Sequence, residues 1–181
     1  AEADARLVAA SWREFHSLAA FCATATLAQA LVARGRLDEA RGALAELGDG
    51  RQYPGFPNAV VARAHGELAT ADGDVDAARE HFTRAGEDFP YCAWRPGAAT
   101  AALLLGDGAD ATAVAEEELT RARRFGAPRA LGVALRVAGL CEGGVTGLAL
   151  LDESVAVLRE SPAVLELARS LCELGAALRR S

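Results

Sequence analysis

Small and apolar positions along this chain recur at a regular spacing. The segment LAQALVARGRLDEARGALAEL (Leu27 to Leu47) has the same layout as HGELATADGDVDAAREHFTRA (His65 to Ala85), with Gly35 answering Gly73 and Ala40 answering Ala78 at an offset of 38. AALLLGDGADATAVAEEEL (Ala101 to Leu119) repeats it once more, with Gly106 and Ala111 a further 33 residues on. A period of this size marks a repeat architecture. Each unit reads as a helix, a tight turn at glycine, and a second helix whose alanine, five residues past the glycine, faces back onto the first. Small residues there let two helix axes approach to about 8 Å. One such hairpin cannot cover its own apolar faces, so neighbours stack and the array becomes a solenoid with a concave and a convex side.

The breakers place helices at 2–14, 18–34, 37–47, 58–72, 75–88, 97–105, 109–125, 129–141, 147–159 and 163–179. Pro54, Pro57, Pro90, Pro128 and Pro162 are expected between units, where a missing N–H and a restricted preceding residue end helices. The stretch Gly48 to Asn58 is the longest expected loop and the best hinge candidate. The organisation expected is a single array over 1–181: a half repeat at 1–14, units at 18–47, 58–88, 97–125 and 129–159, and a half repeat at 163–181.

Composition sharpens this. The 181 residues include 43 Ala and 24 Leu against 12 Val and no Ile, which favours helix and starves a sheet of β-branched residues. All 19 basic residues are Arg, so chemistry that needs lysine is excluded: the phosphate-binding P-loop, Schiff bases and lysine general bases. A net charge of −6 argues against sequence-independent binding to DNA or an anionic membrane. Cys22, Cys92, Cys141 and Cys172 lie 70, 49 and 31 residues apart with no C-x-x-C, indicating reduced thiols rather than a zinc site or disulfide framework. No apolar run approaches a membrane span and no leader pattern opens the chain, so a cytoplasmic protein is expected. Methionine is absent even at position 1, and the chain opens on a helical pattern, which reads as a piece of something longer.

The second unit resembles the tetratricopeptide repeat: Gly66, Ala78, Phe82, Ala85 and Pro90 sit at positions 8, 20, 24, 27 and 32 of that 34-residue pattern, with Gly73-Asp74 at its inter-helix turn. The first unit keeps Ala28, Ala40 and Leu44 in those roles; the later ones keep only the small residues. The resemblance implies an all-α, right-handed superhelical solenoid of helix-turn-helix repeats. A narrower resemblance runs through YCAWRPGAATAALLLGD and most plainly Glu118 to Ser181, which look like the helical-repeat region of large ATP-binding LuxR-type transcriptional regulators of actinobacteria, relatives of the maltotriose-responsive activator. Such regulators carry an N-terminal P-loop module, a helical-repeat sensor region and a C-terminal helix-turn-helix. The resemblance covers the middle part alone, so it implies no catalytic or base-reading residue here. DNA would be reached only through the separate helix-turn-helix.

Several sharper motifs dissolve on inspection. Leu103 to Ala111 fits a G-x-G-x-x-A dinucleotide fingerprint but lacks the preceding strand and the later acidic residue, so its glycines read as an inter-helix turn. Arg121, Arg123, Arg124 and Arg129 form a basic run, yet Glu117 and Glu118 stand four and three residues before Arg121, the ordinary ion-paired helix. Asp72, Asp74 and Asp76 lack the glutamate of a calcium loop. His16, His65 and His81 are scattered, and Trp12 and Trp94 read as gap fillers between Ala-rich hairpins. No metal, cofactor or catalytic arrangement is indicated.

A binding site, if the array has one, is the inner face of the first helix of each hairpin. Registering the repeats puts Gln29, Arg63, Glu67, Thr100 and Arg136 there, with Trp94 and Arg95 at the entrance to the third unit. These are convergent polar groups in rows otherwise made of Ala, Val and Leu. The expected function is a non-enzymatic sensor or protein-interaction segment of a LuxR-type regulator that binds a small-molecule effector or another protomer and self-associates. The rivals are a free-standing tetratricopeptide-type peptide-binding adaptor, disfavoured by the absence of Lys and the single Asn58, and a dimerising structural spacer.

Overall fold

A computed structural model of the chain describes residues 2–15, 18–51 and 53–180, the side chains of 11–15 excepted. His16 and the Trp12 side chain, both weighed above, lie outside the described residues. The described residues form helices and turns without a strand: α1 (Glu2–Phe15), α2 (Leu18–Ala33), α3 (Leu37–Leu47), α4 (Phe56–Asp72), α5 (Val75–Asp88), α6 (Arg95–Leu104), α7 (Gly108–Phe125), α8 (Pro128–Glu142), α9 (Gly144–Arg159) and α10 (Val164–Arg180). The class is all-α. Two compact units emerge, residues 1–101 and 102–181, and the division falls inside α6 rather than at the 48–55 loop.

The repeat in the sequence is a repeat of one turn. Gly35, Gly73 and Gly106 all take φ between 72° and 81°, a left-handed conformation that a side chain would strain. In each case the following residue donates its N–H to a carbonyl five positions back: Arg36 to Leu31, Asp74 to Ala69 and Asp107 to Ala102, all at 2.9 Å. That bond closes the first helix in a Schellman arrangement. Asp74 and Asp107 then cap the second helix, accepting from the Ala77 and Asp110 amides at 3.1 and 3.3 Å. The alanine five residues past each glycine is buried: Ala40, Ala78 and Ala111.

In residues 1–101, α1, α3 and α4 pack on α2, whose sequence LAAFCATATLAQALVA carries no charge. Phe21, Leu31, Leu44, Leu47 and Val61 form the centre of this core. Larger side chains occupy notches left by glycines. The Phe82 ring rests on Gly66, where an added Cβ would lie 3.0 Å from it, and also fills the space over Gly97. Trp94 covers Gly86 in the same way, joining Phe89 and Cys92 against Ala59, Ala62 and Ala85. In residues 102–181, α8 and α9 approach through Gly139 and Gly147, whose backbones touch, and bury Leu135, Leu151, Val155 and Leu158.

Two local expectations need correction. Pro57 and Pro128 lie not between helices but in the first turns of α4 and α8, where no intrahelical partner exists for the missing N–H. Helix α9 begins at Gly144 instead of 147, because Gly143 and Gly144 make the turn themselves and the Gly147 amide already donates to Gly143 at 2.7 Å. The 48–55 loop is tied down on three sides. His65 bonds the Gly48 carbonyl at 3.0 Å, Arg84 donates to the Asp49 carbonyl at 3.2 Å, and Tyr53 meets Phe21 edge-on at 4.9 Å.

Candidate functional site

The polar residues singled out from the repeat register separate into three settings. Gln29 on α2 and Glu67 on α4 differ by one repeat offset, and the Gln29 amide donates to Glu67 Oε1 at 3.4 Å. Arg63, one helical turn before Glu67, donates its Nε to the same oxygen at 3.1 Å. All three are partly buried, so the cluster is a polar inset in an apolar helix pair rather than a freely solvated fringe. Glu67 Oε1 is thereby the shared acceptor of a neutral and a cationic donor from two helices.

Cys92, which sequence reasoning set aside, adjoins this inset. Its thiol bonds the Ala85 carbonyl at 3.5 Å, and burial pushes its pKa up while the nearby Arg63 and Arg95 guanidinium groups pull the other way. Arg95 is buried, donates Nη1 to the Pro90 carbonyl at 3.1 Å, and lies 4.6 Å over the Trp94 ring in a cation–π contact. Trp94 itself is packed over Gly86, so its body is part of the core. Thr100 turns its hydroxyl back to the Pro96 carbonyl of its own helix at 2.8 Å. Deeper still, buried Asn58 donates to Asp88.

Arg136 belongs to the other unit and sits in a different environment. Its guanidinium meets the buried Glu166 at 2.8 Å and also donates to the Glu166 carbonyl at 3.2 Å. Arg169 and Arg129 approach the same carboxylate at 3.1 and 3.7 Å. Ser154 and Ser170, both fully buried, share a 2.8 Å hydrogen bond, and Ser154 donates to the Gly132 carbonyl at 2.7 Å. This network joins α8, α9 and α10 through side chains 16 to 34 residues apart.

The histidines that looked scattered are brought together in part: His65 on α4 and His81 on α5 stack with centroids 5.1 Å apart and planes 23° from parallel. Burial, then the His65 and Arg84 charges, hold the His81 pKa below its ordinary value. Among the described residues no group of three or more His, Cys, Asp or Glu could hold a metal ion. Arg121 is paired with Glu117 at 2.9 Å, the i,i+4 bridge anticipated from the sequence. No described helix is long and apolar enough to cross a membrane. Compared with family models and with curated proteins, the chain matches none.

Proposed function

We propose that this chain is the sensor or interaction segment of a LuxR-type transcriptional regulator, a cytoplasmic, non-enzymatic right-handed superhelical array of tetratricopeptide-like hairpins that binds a small-molecule effector or another protomer. The observation that supports binding is the inset formed by Gln29, Arg63 and Glu67, flanked by Cys92 and Arg95. A purely structural helix pair gains little from holding charged and amide groups partly buried, since desolvating them costs more than their exposed pairing returns. A ligand with its own donor and acceptor can take over the Glu67 and Arg63 bonds at low cost, because the donors and acceptors are already held on two helices. Binding would bias the packing of α2 against α4, and the regulator's other modules would convert that bias into transcription.

The test is a thermal-shift screen of small metabolites run beside a peptide-library pull-down, with every hit repeated on Glu67→Gln and Arg63→Met. A small molecule that raises the melting temperature of the parent chain and loses its effect in both variants supports the sensor reading. A defined linear peptide motif with no small-molecule response would move the assignment to the peptide-binding adaptor. Hits that bind both variants as tightly as the parent would remove the inset from the binding surface.

A further inference from the structure

Two charged walls meet between α5 and the 48–55 loop. On α5, Asp76, Glu80, Thr83 and Glu87 recur in steps of four, three and four, so they share one helix face. With Arg84 and with Arg51 of the loop they line a solvent-open cavity of about 480 Å³, around which three guanidinium groups stand with three carboxylates.

Arg84 lies four residues after Glu80 and three before Glu87, spacings at which ion pairs form on a helix. Arg63 with Glu67 and Glu117 with Arg121 are such pairs elsewhere in this chain, at 3.1 and 2.9 Å. Among the described residues Arg84 makes neither pair. Its Nη2 donates instead to the Asp49 carbonyl at 3.2 Å, and its Nε is buried without a hydrogen-bond partner. Arg51 is also drawn to the loop, pairing with the Asp49 carboxylate at 2.9 Å. Opposite charges that could neutralise one another along α5 are therefore held apart across the cavity. The Arg84 side chain is kept in place by packing and one carbonyl, so its remaining donors and the two glutamates are available to a third group.

We propose that this cavity binds a small zwitterion, a free amino acid with a polar side chain. Its carboxylate would take the Arg84 guanidinium and the Thr83 hydroxyl, and its ammonium would take Glu80 and Glu87. Equal numbers of the two charges select this class. A polyanion placed here meets three carboxylates and a polycation meets three arginines, whereas a zwitterion gives each wall its complement. The lining is polar throughout, which disfavours an apolar effector. None of these residues belongs to the Gln29–Arg63–Glu67 inset, so the site stands apart from the effector reading above. An open site and a ligand of few atoms set the expected Kd at roughly millimolar order.

Titration of the 181-residue chain with L-serine and with L-glutamine, followed by amide chemical shifts, tests this. Both should shift amides within 48–51 and 76–87. For L-glutamine, removing either charge should weaken binding at least about tenfold: 4-carbamoylbutanoate lacks the ammonium and 4-aminobutanamide the carboxylate. Glu80→Gln/Glu87→Gln should weaken L-glutamine binding by a similar factor with the melting temperature unchanged, because neither carboxylate holds a partner in the fold. Arg84→Gln should abolish binding, and Glu67→Gln should leave it intact. No shifts with either amino acid at about 20 mM, well above the expected Kd, would overturn the proposal. So would shifts confined to other segments, or binding that survives the double glutamate variant. A 4-carbamoylbutanoate affinity equal to that of L-glutamine would reduce the cavity to an anion site and refute the zwitterion.

Discussion

Replacing Arg136 by methionine isolates what holds α10 in place. The Arg136 and Glu166 side chains are 11% and 8% exposed, so their pair is among the least solvated in the molecule. Removing one member of a buried pair costs about 3–5 kcal/mol, because the other charge stays buried without its partner. Here Arg169 and Arg129 remain near the carboxylate at 3.1 and 3.7 Å, but they are 47% and 66% exposed and offset only part of that loss. The hydrogen bonds from Arg136 to the Glu166 carbonyl and to Ser170, at 3.2 and 3.5 Å, vanish as well. The expected destabilisation is about 2–3 kcal/mol. Urea unfolding followed by circular dichroism measures it, and hydrogen exchange should show the loss concentrated in α10. The double variant Arg136→Met/Glu166→Gln should recover at least half, because the uncompensated charge is then gone. A single variant within about 0.5 kcal/mol of the parent, or two substitutions that simply add, would refute the claim that a buried ionic latch fixes this helix.

Three further outcomes follow from the geometry. Phe82 is buried against Gly66 and Gly97, which have no side chains to close the gap, so Phe82→Ala should cost about 3–5 kcal/mol in urea unfolding; a loss below about 1 kcal/mol would contradict that packing. His81 has its folded pKa held below the ordinary 6.5, so the unfolded chain binds the proton first, and stability should be full above pH 6.5 and fall as pH drops through it. His81→Phe keeps the stack with His65 without the titration and should flatten that fall between pH 7.5 and 5.5; an unchanged slope would assign the pH dependence elsewhere. Asp74→Ala should cost about 1 kcal/mol through the lost cap on the Ala77 amide, while Asp74→Asn should leave the melting temperature nearly unchanged, and equal losses in both would show that capping is not the cause.

Much of the local structure was legible because turn chemistry is written in single residues. Gly35, Gly73 and Gly106 announced tight turns, which the structure shows to be left-handed, and the buried alanines five positions later followed from the same register. The prolines misled at Pro57 and Pro128 because a proline that ends one element is equally suited to begin the next. Adjacency between repeats was legible only where the offset held. Gln29 and Glu67 are 38 apart and meet, as the register of Gly35 and Gly73 requires. Pairs at other separations, such as Asn58 with Asp88 at 30 or Arg84 with the Asp49 carbonyl at 35, depend on how far one helix slides past the next. Nothing local in an Ala-rich sequence records that slide. The buried serines of α9 and α10 escaped notice for a related reason: Ser154 and Ser170 look like surface residues until the glycines of α8 and α9 bring the backbones together.

The account depends on one hairpin turn occurring three times, and backbone NMR of the labelled chain tests it most directly. Hydrogen exchange and chemical shifts should show left-handed Gly35, Gly73 and Gly106, each followed by a protected amide at Arg36, Asp74 and Asp107. Rapid exchange at those three amides, or helical shifts running unbroken through any of the three glycines, would contradict it.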